Sequence, residues 1–157
     1  MTIYISGDPV GKQRPRHDPT HPNQKPHTPE KTRDYEKRIG WAWKQAHGPM
    51  YEGPVEISVT IFLQCPKSYS KKTREAMLSG EILPTRTPDC SNVLKSAKDG
   101  LNKIAYKDDS QIAKTNTERF YAEEPGLLII VRPVNKDYMK ESLRASLDLR
   151  NAIRRNT

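Results

Sequence analysis

The chain is poor in apolar residues, in cysteine and in acid, and each shortage narrows what it can be. Only 34% of its 157 residues are hydrophobic, and the mean hydropathy is −0.87. The core must therefore be modest, so long polar segments or help from a partner subunit are expected. The length suits one ordinary domain and not two. Cys65 and Cys90 form no C-x-x-C pair and read as reduced thiols, each most simply a small buried residue. No run approaches the length needed to cross a bilayer, and no N-terminal apolar region signals secretion, so a cytoplasmic protein is expected. Acidic residues number 19 against 27 basic ones, leaving a net charge of +8. That balance favours a polyanionic partner, nucleic acid first.

What is present is organised as one α/β (α+β) domain of about four strands, forming a mixed sheet, with three or four helices. "MTIYISG" alternates, with Ile3 and Ile5 on one face, and should be a short strand ending at Gly7. Residues 10–28 carry proline, histidine, lysine and arginine without any apolar period, which predicts an extended basic loop. Thr28-Pro29-Glu30 offers a helix start with proline in the first turn. Tyr35, Ile39, Ala42 or Trp43, and Ala46 then mark one face of a helix ending before Gly48-Pro49. "VEISVTIFL" is the clearest strand, with Val55, Ile57, Val59, Ile61 and Leu63 on one face. "SKKTREAMLSG" predicts a short basic helix, capped by Ser70 and ended by Gly80. Two more strands are expected at 111–121 and 127–131, joined by the turn-forming "AEEPG". Residues 134–157 form an amphipathic helical tail marked by Tyr138, Met139, Leu143, Leu147 and Ile153. It should pack on residues 1–133 or on another subunit.

The chemistry concentrates in "PDCSNVLKSAKDGLNKIAYKDDSQI", residues 88–112. Asp89 can cap a helix running to about Asn102. Asn92, Lys95 and Asp99 then fall on its polar side, with Lys95 above Asp89, while Val93, Leu94, Ala97 and Leu101 face the core. The return through "IAYKDD" brings Asp108 and Asp109 to the start of the next strand. Carboxylates from a helix N-terminus and a strand start can hold a hard divalent cation such as Mg²⁺, which keeps several waters and needs few protein ligands. A neighbouring lysine supplies positive charge for a phosphate or a leaving oxyanion. The same residues also have ordinary structural uses as a cap, an i,i+4 pair and a turn, and spacing alone leaves both readings open.

The segment resembles the RusA family of Holliday junction resolvases, whose motif reads approximately P-D-x-D-N-x-x-K, D-x-L-N-G and D-D-x-Q. Pro88-Asp89, Asn92 and Lys95 match the first part, Asp99, Leu101 and Asn102 the second, and Asp108, Asp109 and Gln111 the third. "GDPVGKQRPR", "TPEKTRDYEKRI", "GPVEISVTIF" and "CPKSYSKKTREA" are also similar to the family's phage branch, extending the likeness over residues 1 to about 131. The resemblance implies a Mg²⁺-dependent homodimer, with Mn²⁺ as a substitute, that cuts four-way junction DNA in recombination and repair without a small-molecule cofactor. It implies metal-binding roles for Asp89 and Asp109, a catalytic role for Lys95, and supporting roles for Asn92 and Asp99. Ser91 stands where the family has a second acid. The site therefore loses a charge unless Asp108 and water fill the gap. Lys103 stands where the family often has glycine.

Among other candidates, Lys12, Arg14, Arg16 and Lys25 form a basic arm suited to phosphate contact, with Arg86 as a further DNA-contacting cation. His17, His21 and His27 include an H-x3-H spacing but lack the cysteines of a zinc site and read as exposed. Tyr35, Trp41 and Trp43 read as core or subunit interface rather than base-stacking platforms. Three functions follow: a junction-resolving endonuclease, a junction-binding protein that has lost catalysis through Ser91, and a basic scaffold protein unrelated to nucleic acid.

Overall fold

The computed structural model describes residues 1–14 and 28–155, so Arg16, Lys25, His17, His21 and His27 lie outside the described residues. The chain runs β1 (Thr2–Ser6), α1 (Glu30–Gln45), β2 (Val55–Gln64), α2 (Lys71–Leu78) and α3 (Cys90–Leu101). A 3-10 turn (Asp109–Gln111), β3 (Ile112–Ala122), β4 (Gly126–Pro133) and α4 (Lys136–Arg155) follow. The strands make one four-stranded mixed sheet, as expected, in the order β1-β4-β2-β3. β2 is antiparallel to β4 and parallel to β3. β3 and β4 are therefore consecutive in sequence yet separated by β2, and the short link between them passes the end of that strand.

Alternation decides which sheet face is covered. Val55, Ile57, Val59, Ile61 and Leu63 are all buried, together with Ile3 and Ile5 of β1 and Leu127, Ile129 and Val131 of β4. α1 adds Tyr35, Ile39 and Trp43 to this core, and α3 adds Val93, Ala97 and Leu101. These spacings of four give each helix one apolar stripe. α1 and α3 meet at Gly40 and Gly100. A Cβ on Gly40 would lie 2.9 Å from the Gly100 carbonyl oxygen, and one on Gly100 would lie 2.8 Å from that of Glu36. Only glycine permits that approach, which sets the two helices side by side beneath the candidate site.

On the sheet's other face, Glu56 is 4% exposed, with Lys114 at 3.4 Å and Arg132 at 3.3 Å. Burial alone would push its carboxyl up, but the Arg132 hydrogen bonds and charge, joined by Lys114, hold it below the usual range.

The helix starts show where local reading succeeds. Ser70 Oγ accepts from Thr73 N–H, and Gly80 takes φ +85° beyond the end of α2, as expected. For α1, Pro29 occupies the N-cap itself rather than the first turn, and no side chain caps the helix. α4 begins where Asn135 Oδ1 accepts from Asp137 and Tyr138 N–H groups. Tyr138 lies beneath Lys114 of β3, and Met139 and Leu143 line a groove with Pro54, Ala113 and Pro133, while Leu149 and Ile153 further along stay exposed.

Candidate active site

Asp89 is the N-cap of α3, as its position before an apolar-periodic run demands. Its Oδ1 accepts from Asn92 N–H at 2.8 Å and its Oδ2 from Asn92 Nδ2 at 2.7 Å, so Asn92 fixes the carboxylate through both oxygens. The strand at the sheet edge steadies the preceding loop. Arg119 of β3 donates to the carbonyls of Arg86 at 3.0 Å and Pro88 at 3.2 Å. From the other side, Lys12 N–H donates to Asn92 O at 2.8 Å. A groove of about 340 Å³ opens there, lined by Gly11, Lys12, Lys31, Pro88, Asp89 and Asn92 among others.

The acid pair is held differently. Asp108 caps the 3-10 turn, with its Oδ1 accepting from Ser110 N–H at 2.9 Å, while Gln111 Oε1 accepts from Asp108 N–H to complete a capping box. The Ser110 hydrogen bonds depress the Asp108 carboxyl. Asp109 lies inside that turn rather than in the strand. Its Oδ2 faces Lys98 Nζ at 3.5 Å, and its Oδ1 is buried without a hydrogen-bond partner. Tyr106 lies fully buried nearby. Burial, and then the charges of Asp109 and Asp99, raise its phenol far above the usual value, so its hydroxyl stays protonated and donates to Lys98 O at 2.8 Å.

One expected pairing is corrected, and two expected DNA-contacting cations are found engaged within the fold. Asp99 does not answer Lys95. It binds Lys12 Nζ at 2.7 Å, and Glu36 binds the same ammonium at 2.6 Å. The backbone bond from Lys12 to Asn92 carries the lysine to the seam between α1 and α3, where two acids outcompete one exposed helical neighbour. Burial opposes that charge, but the Asp99 and Glu36 hydrogen bonds outweigh it and raise the Lys12 ammonium. Lys12 is thus neutralised within the fold instead of extending from a free basic arm. Arg86 is likewise engaged, donating to Gln64 O at 2.7 Å and lying over the Tyr121 ring.

Lys95 is exposed and forms no ion pair among the described residues; Ser91 is also exposed. Ser91, Lys95, Lys98 and Asn102 recur at helical spacing, so the side of α3 that carries Lys98 to Asp109 also presents Lys95 and Ser91. Sequence reading missed Lys98, although it lies three residues beyond Lys95 on that same side. It also missed Glu36 and Arg119, whose partners are distant in sequence.

Among the described residues, no three or more acidic, histidine or cysteine side chains gather into a metal cluster. A hard cation that keeps most of its waters needs only one or two carboxylates; of the Asp109 oxygens, one faces Lys98 and the other is buried without a hydrogen-bond partner. The described contacts do not bring the two acids to one another: Asp89 is held by Asn92 at the start of α3, and Asp109 faces Lys98 nine residues further along.

The family model described as Endodeoxyribonuclease RusA matches residues 6–132, which leaves α4 outside the match. The chain is also similar to the uncharacterized protein YqaN of Bacillus subtilis (strain 168), with 35% identity over 139 residues. That alignment covers 86% of this chain and 96% of YqaN.

Proposed function

Because the chain belongs to the RusA endodeoxyribonuclease family, we propose that it resolves four-way DNA junctions by metal-dependent phosphodiester hydrolysis in recombination and repair. The observation that carries this reading is the Asp109 carboxylate, with one oxygen against Lys98 and the other buried and unpartnered. A buried acceptor left without a donor costs stability, on the order of 1–3 kcal/mol, and a cation would remove that cost.

Asp89 and Asp109 would hold Mg²⁺ or Mn²⁺. When bound, such an ion supplies Lewis acidity and lowers the pKa of a coordinated water. Asn92 orients Asp89, and Lys98 orients Asp109 through Oδ2. Lys95, exposed and uncommitted, offers its ammonium to the negative charge that grows on the phosphate. Arg14, with Arg16 and Lys25, contacts backbone phosphates and fixes the register. A symmetric four-way substrate needs two nicks related by a two-fold axis, and this supports a homodimer.

A second reading, a junction-binding protein with little or no cleavage, draws on two details: Ser91 contributes no charge and Lys98 offsets that of Asp109. Cleavage of a synthetic four-way junction with EDTA, Mg²⁺ or Mn²⁺ separates the two. Paired nicks that depend on the metal support the nuclease. Tight binding without nicks under every condition supports the alternative and overturns the nuclease.

A further inference from the structure

Trp41 was expected to be buried in the core or a subunit interface, yet it is 65% exposed, while Tyr35 and Trp43 on the same helix are buried. It stands on a rigid base, because α1 is anchored through the core stripe and the Gly40–Gly100 contact. Two grooves, of about 540 and 500 Å³, meet at its ring. Both include Lys37. The first adds Arg38, and the second adds Arg33 and Lys44 with Gly100 and Asn102 of the α3 end. The acids along the second groove, Glu36 and Asp99, are both taken up by Lys12. Among the described residues, Arg33 and Lys44 form no ion pair, and Lys37 makes only an exposed contact with Asp34 at 3.4 Å.

The surface therefore combines an exposed indole with Arg33 and Lys44, free of ion pairs among the described residues, along the second groove; Lys37, loosely paired with Asp34, borders both grooves, and Arg38 of the first donates to Ser6 O at 2.8 Å. A second copy docking symmetrically here would place these cations against themselves, which argues against a two-fold contact. A partner must instead offer an aromatic or apolar face together with negative charge. We propose that Trp41, flanked by Lys37 and Lys44, is a DNA-contact platform on which an unstacked base of the substrate strand lies, with its phosphates against the two lysines. This rests on the nuclease reading and deepens it. The platform lies at the C-terminal end of α3 and Asp89 at its N-terminal end. A helix of 12 residues spans roughly 18 Å, about five nucleotides of one strand.

The test is equilibrium binding of a four-way junction, a duplex and a single strand to the full chain in EDTA, across a salt series. 2-Aminopurine is scanned along the cleaved strand in parallel. Loss of the stacking surface in Trp41→Ala should weaken binding roughly tenfold while leaving the salt slope unchanged, and Trp41→Phe should retain most of the affinity. Lys37→Ala/Lys44→Ala should instead reduce the slope by up to about 2, near 0.9 per lost phosphate contact. One 2-aminopurine position should respond to the wild type and not to Trp41→Ala. Equal affinity of the wild type and Trp41→Ala for every DNA overturns the platform and leaves the surface to an acidic protein. If the wild type binds strands but not junctions, junction resolution fails, and the same variants still judge the platform. No binding to any DNA overturns both.

Discussion

Helix α3 carries two meeting points of lysine and carboxylate, built from the same residue types a few residues apart. At the first, Lys12 lies between Glu36 and Asp99 at 2.6 and 2.7 Å, and both acids are answered. At the second, Lys98 holds one oxygen of Asp109 at 3.5 Å, the other has no donor, and Lys95 is left uncommitted. Residue type and spacing do not distinguish them; saturation does. The filled constellation fastens Lys12 to both helices, whereas the open one leaves an acceptor and an ammonium unanswered, the two groups that the proposed ion and phosphate would engage.

The largest expected effects come from the open side. Asp109→Asn and Asp89→Asn should each reduce junction cleavage roughly a hundredfold or more, since a metal ligand supports several kcal/mol of charge stabilisation. Asparagine caps a helix as well as aspartate, so Asp89→Asn should keep its thermal midpoint and its junction affinity. Measured cleavage near the wild-type rate in either variant would remove that acid from the proposed metal site.

Lys95→Ala should come next, with cleavage down about a hundredfold and binding nearly intact. If circular dichroism shows a lowered melting temperature and nicking persists, Lys95 belongs with Lys12 instead.

Ser91→Asp sharpens the comparison from the other direction. At about 4 Å, even a water-like medium gives a carboxylate roughly 2 kcal/mol of attraction to a divalent ion, so metal affinity should rise on the order of tenfold. A Mn²⁺ titration monitored by calorimetry, together with one of cleavage, reads this directly. An unchanged midpoint in both would make Ser91 a simple helix-start residue.

The smallest effect on chemistry belongs to the closed side. Lys12→Ala should cost about 1–2 kcal/mol of stability, between the exposed and buried limits for an ion pair, and lower the melting temperature by roughly 2–8 °C. Its pH dependence has a definite sign. The folded state raises the Lys12 pKa above 10.5, so its contribution is fully present below that value and fades as pH rises through the folded pKa. Wild type and Lys12→Ala should therefore converge in stability above about pH 10.5. A gap that instead closes in acid would show that some other group governs it.

Much of the fold was legible because its causes are local. Alternation in β2, the serine cap of α2 and the aspartate cap of α3 need only neighbouring residues. What escaped depended on the chain's return. Turn chemistry at "AEEPG" shows that the chain reverses, but not that β2 lies between the reversing strands. Lys95 and Asp99 at i,i+4 offered a nearby pairing worth only a few tenths of a kcal/mol, and it lost to a half-buried lysine 87 positions away in sequence. Trp41 and Trp43 differ by two residues, and on a helix that spacing points them in different directions, so composition could not tell the core indole from the exposed one. The family motif singles out Asp89, Asp109 and Lys95 as candidates, whereas Lys98 and Arg119 make contacts the motif does not encode.

The strand order has a kinetic consequence. Met1 is bonded to Val131, 130 positions away, and β4 lies between β1 and β2. During synthesis the first two strands must wait, unpaired with each other, until β4 has emerged to join them. Loop closure over such distances is slow, so folding should proceed late and in one step rather than strand by strand. The acids on α3 and the 3-10 turn are made before the sheet that fixes their spacing can close. A chain truncated before β4 should then carry the full motif and no nuclease.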